Sequence, residues 1–138
     1  MLQFLLNLHS AMAPIILTLG AASLISGLAL LYARRRSAAT ESATGSLATI
    51  FRILLAATAA GGVLQAIFGL LLVFQGCQPR ENLHYVYGII VLAAIPVAYV
   101  YSDQKQVRRD IIIMTIAAVA IIGAVIRGLA TGPGGACH

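Results

Sequence analysis

Residues 77 to 88 read C-Q-P-R-E-N-L-H-Y-V-Y-G, a short polar break between two long apolar runs. A connector this short, with Pro79 inside it, joins neighbouring antiparallel segments. The runs on its two sides cover about 50–74 and 83–101, and two more cover about 12–33 and 111–129. At 1.5 Å per residue, about 20 apolar residues in a helix cross about 30 Å of hydrocarbon. The connector therefore divides two helical hairpins, and the chain is expected to be an all-α membrane protein, a single four-transmembrane-helix bundle.

Composition leads to the same class. Of 138 residues, 60% are hydrophobic and 9% charged, with mean hydropathy +0.95. An ordinary soluble domain has about 25% charged residues, so this chain cannot cover a water-facing surface. Backbone groups in lipid must be satisfied within their own segment, which favours helices. Barrel strands would alternate apolar and polar residues over segments of about ten, and no such alternation is present.

The net charge of +5 does not point to nucleic acid. Arg34, Arg35, Arg36 and Arg52 flank the first connection, and Lys105, Arg108 and Arg109 flank the third. Only Arg80 and Arg127 lie elsewhere. Basic loops beside apolar spans are a topology signal: the 34–52 and 102–110 regions are expected to be cytoplasmic and both termini outside. Tyr32, Tyr99 and Tyr101 then mark the inner interface, and Tyr85 and Tyr87 the outer one. Met1 to Leu8 lacks the basic start of a secretory signal. Gln3, Asn7 and Ser10 share one helical face there, as an interfacial lead-in turn would.

The two halves echo each other. Leu8-His9 and Leu83-His84 open the first and third spans, and each histidine lies 25 residues before an arginine, Arg34 or Arg109. At 100° per residue, the His9 face carries Ala13, Ile16, Gly20, Ser23 and Gly27; the His84 face carries Gly88, Val91, Ile95, Ala98 and Ser102. The second span offers Gly62, Ala66 and Gly69, and the fourth Ala120, Ala124 and Gly128. Small residues let helix backbones approach in lipid, where hydrophobic drive between helices is weak. These faces are expected to form the contacts, with most bulky aliphatics elsewhere.

No phosphate-binding loop, HExxH or CxxC is present, so the common soluble-enzyme motifs are absent. Cys77 and Cys137 are the two cysteines, placed on the outer side, where an oxidising compartment permits a disulfide between them. Two free thiols are the plain alternative. His9 and His84 begin odd-numbered spans at equal depth, which suits two axial ligands of a haem b iron; two hydrogen-bonded interface histidines are the ordinary reading. A metal cluster of these with His138 and the cysteines matches no zinc spacing. Gln65 is the strongly polar side chain near mid-span, suited to a bond between helices or to a quinone headgroup. Arg127 lies near the outer end of the fourth span, where it can snorkel. No carboxylate lies mid-span, which argues against an ion pump. Pro96 frees the carbonyl of Leu92 and is expected to kink the third span.

The primary expectation is a non-catalytic subunit of a larger bacterial-type membrane complex, with a stabilising role and an electron-transfer complex as a reasonable host. Its partners would be the bilayer, other membrane subunits or further copies of itself, and its location the cell membrane as a multi-pass protein. The alternatives are a bis-histidine haem b electron carrier using His9 and His84, and a small transporter or quinone-binding protein.

Overall fold

The computed structural model describes residues 1–36, 41–102 and 106–132. Four helices follow in order: α1 Leu2–Arg35, α2 Glu41–Phe74, α3 Leu83–Tyr101 and α4 Val107–Thr131. All four are long and apolar enough to cross a membrane. Helix α1 packs on α2 and α4, α3 packs on α4, and the α2–α3 seam is the thinnest. Helices α1 and α3 therefore face each other across the bundle's diagonal.

Three helices run past the apolar spans expected for them. The lead-in turn at Met1–Leu8 is not separate, because α1 is unbroken from Leu2 through Pro14. Proline removes one intrahelical bond, here to the Ser10 carbonyl; one turn on, Thr18 Oγ1 shares its hydrogen between the carbonyls of Pro14 and Ile15, each at 2.8 Å. Gln3 and Asn7 bond to each other at 3.1 Å on the exposed face. Helix α2 begins at Glu41 rather than near Ile50, and α4 adds four residues before Ile111 and two after Leu129. Polar residues end a hydropathy run without ending a helix whose backbone is already hydrogen-bonded.

Helix α2 ends at Phe74 and is capped at Gly76. The Cys77 amide donates to Leu72 O at 2.9 Å and the Gly76 amide to Val73 O at 3.0 Å, with Gly76 at φ 80°. This is a Schellman cap, whose left-handed residue is best supplied by glycine. Cys77 and Leu72, which accompany it, are both buried. The Glu81 amide then donates to Thr131 O at 3.2 Å, fastening the α2–α3 connector to the end of α4.

Most of the contact faces of α1 and α3 are those the helical arithmetic selects: Ile16, Gly20, Ser23 and Gly27 on α1, and Val91, Ile95 and Ala98 on α3, are buried, while Gly88 on the same α3 face is exposed. On α4 the face is turned. Ala120 is exposed, while Thr115, Ala117, Ala118, Ile121, Ala124 and Val125 are buried. Nor is the core confined to small residues. Ile16, Leu30, Phe51, Leu55, Val91, Ile95, Ile111 and Ile121 pack in one cluster. Small residues serve where two backbones cross: a Cβ on Gly27 would lie 2.5 Å from Thr115 Oγ1 and 2.9 Å from the Phe51 ring. Between α1 and α2, the buried Ser23 and Thr58 hydroxyls meet at 3.3 Å.

Candidate functional site

One end of the bundle gathers the starts of α1 and α3 and the ends of α2 and α4. His9 and His84 meet there, with ring centroids 6.0 Å apart and planes inclined by 59°. They share no hydrogen bond. Each is held instead by the second helix of its own hairpin. His84 Nδ1 lies 3.1 Å from Gly128 O and 3.5 Å from Thr131 Oγ1. A carbonyl only accepts, so Nδ1 carries the proton and Nε2 keeps its lone pair. His9 Nε2 lies 3.4 Å from the Gln65 amide nitrogen. His9 Nδ1 and Gln65 Oε1 are buried without a partner.

The pair borders a cavity of about 650 Å³. Cofactor and ligand pockets occupy about 300–1,000 Å³. Its walls are mainly apolar and come from all four helices. Glycines keep it open and bring the walls close. A Cβ on Gly69 would come within 3.2 Å of the His9 ring, and one on Gly132 within 2.7 Å of the His84 ring. At Gly88 a Cβ would meet nothing within 4 Å, so this glycine borders open space rather than a packed seam. Deeper in, a Cβ on Gly62 would lie 3.1 Å from Val91 O, so α2 and α3 close together there and form a floor. The α2–α3 seam is thin because the cavity lies along it.

The remaining sequence-predicted residues fall around this end. Gln65 bonds between helices, as expected of a mid-span amide. Arg127 is exposed and lies on Tyr87, its Nε donating to the phenol oxygen at 3.5 Å and its guanidinium 6.0 Å from the ring centre. Cys77 is buried and borders the cavity. Its expected partner Cys137, and His138, lie outside the described residues. No group of three or more metal-ligating side chains occurs among the described residues. Helix α3 runs unbroken past Pro96.

Sequence reasoning missed Gly128 and Thr131 as the holders of His84. A backbone carbonyl leaves no signature in a sequence, and Thr131 is one of several hydroxyls near helix ends. No protein-family model, curated protein or solved structure matches the chain.

Proposed function

We propose that the chain is a haem b electron carrier of the membrane, with His9 and His84 as the two axial ligands. The observation that carries this reading is their separation. A metal–imidazole bond is about 2.0 Å and a ring nitrogen lies about 1.1 Å from its centroid, so two imidazoles holding one metal would have centroids no more than about 6 Å apart. The observed 6.0 Å fits that span.

The chain's own groups suit that role. Metal-bound histidines commonly donate their second N–H to a carbonyl, which holds the ring and its tautomer; Gly128 O does this for His84. The Gln65 amide can accept an N–H or donate to a lone pair, so it holds Nε2 of His9; Nδ1 is buried beside Gly69, and the ring must turn to present a nitrogen to a ligand. The apolar walls and the glycines give a flat group room. Bound haem would supply one-electron exchange, and the protein's part is to fix the ligands and set the potential.

Further features of the proposal follow from charge and chemistry. The arginine-rich end is taken as cytoplasmic, which puts both termini and the histidine pair near the outer surface. A Cys77–Cys137 disulfide is proposed to tie the C-terminal segment beside the cavity. Other membrane subunits are the electron donors or acceptors, which unites this reading with that of a subunit in an electron-transfer complex. A quinone headgroup is the second occupant the cavity suits, since its walls are mainly apolar and Gln65 and the two histidines border it.

The test is an absorption spectrum of protein purified after expression with haem supplied. A Soret band is expected, with a sharp band near the green on reduction, and both should vanish in His9→Ala and in His84→Ala. A wild-type spectrum without a Soret band ends the haem reading and leaves the quinone.

A further inference from the structure

The opposite end of the bundle holds a second cavity, of about 310 Å³, lined by Leu31, Arg34, Arg35 and Arg108. Arg34 and Arg35 come from the last turn of α1, and Arg108 from the first turn of α4. None of the three has an ion pair or side-chain hydrogen bond among the described residues. Their neighbour Arg36 differs, lying 4.9 Å over the Tyr32 ring. All three are exposed, and an anion seated among them can be paired by more than one guanidinium.

Two more observations narrow the anion. The cavity sits at the start of α4, whose first amides have no intrahelical acceptor and whose N-cap, Gln106, makes no side-chain cap bond. These amides and the arginine forks both suit an oxyanion with several oxygens. Leu31 lines the same cavity, so apolar and cationic groups share it, as a lipid headgroup joined to its acyl chains requires. Basic pockets between helices at the membrane surface are known acceptors of anionic lipid headgroups.

We infer that Arg34, Arg35 and Arg108 form a site for a phosphate oxyanion, of the kind carried by an anionic phospholipid. Guanidinium forks bind two phosphate oxygens at once, which an ammonium cannot. The site is independent of the histidine pair.

The test uses the full chain in nanodiscs of mixed phosphatidylglycerol and phosphatidylcholine, followed by native mass spectrometry of the released protein. Wild-type protein should retain phosphatidylglycerol in preference to phosphatidylcholine. R34Q/R108Q should lower that retention, by about tenfold for each arginine removed, the loss of a hydrogen bond to a charged group. R52Q, which removes a basic residue outside the cavity, should leave it unchanged. R34K/R108K keeps the charge that directs insertion, and should still bind more weakly than wild type. Titrating the detergent-solubilised protein with inorganic phosphate, at matched ionic strength, separates the sources. Retention of lipid with no response to phosphate assigns the site to headgroups, and a saturable response assigns it to the free ion as well. Equal losses in R52Q and R34Q/R108Q, or no preference over phosphatidylcholine, would overturn the site in favour of diffuse surface charge.

Discussion

His84 illustrates how one residue acquires a role from an atom that has no side chain. Its Nδ1 is held by the carbonyl of Gly128, so Nε2 is the nitrogen left for a ligand. Methionine keeps a ligating atom at that position while giving up the bond to Gly128. Replacing one axial histidine by methionine raises a haem potential. His84→Met is therefore expected to retain haem with a higher midpoint potential, read by redox titration, while His84→Ala loses it. Haem bound with an unchanged potential in His84→Met would mean that His84 is not a ligand. His9 differs in its holder, since Gln65 can serve either tautomer. That histidines open the first and third spans was legible in the sequence, and so was a bond from Gln65 to another helix. That Gln65 and His9 are each other's partners was not, because helical arithmetic gives a direction on one helix and no distance to the next.

Among the elements, α1 shows the effect of small residues at a crossing. Gly27 lies where α1 meets Phe51 of α2 and Thr115 of α4, with no room for a methyl group. Overpacking of this kind costs about 1–3 kcal/mol. Gly27→Ala should lower resistance to unfolding in SDS by that amount, while Gly88→Ala, facing open space, should not. Equal resistance of the two variants would show that α1 shifts freely against its neighbours. The stripes on α1 and α3 were legible because each buried face repeats at helical spacing. On α4 nearly every residue is apolar or small, so several faces look alike; packing against α1 and α3 chose the one through Ala117, Ile121 and Ala124 and left Ala120 outside.

For the whole molecule, the two ends of the bundle carry different chemistry. One has the histidine pair, the connector and Cys77, and the other the arginine cluster. If the positive-inside placement holds and Cys77 pairs with Cys137, a membrane-impermeant maleimide should leave intact cells unlabelled at both cysteines. After mild reduction it should label them. Closing a loop of about 60 residues stabilises by roughly 4 kcal/mol in the chain-entropy account, so reduction should also lower the thermal midpoint. Full labelling without reductant would exclude the disulfide, and labelling only after permeabilisation would reverse the orientation. The hairpins also repeat a plan: in each, the histidine near the start of the first helix is held by the second, at Gln65 or at Gly128. This agrees with the sequence echo between the halves.

The amino-acid sequence by itself determined that there are four apolar helices in two hairpins and that one end of them is basic. Hydropathy and charge are local properties, and a bilayer leaves a continuous apolar run few structures other than a helix. Only the tertiary structure decided that the connector at Cys77–Gly88 borders a cavity and that its histidine faces His9 across the diagonal. It also decided that Arg34 and Arg35 share a cavity with Arg108. Those results depend on how far each helix is rotated and where backbones touch. That is set jointly by side chains from all four segments, and no single stretch of the chain contains it.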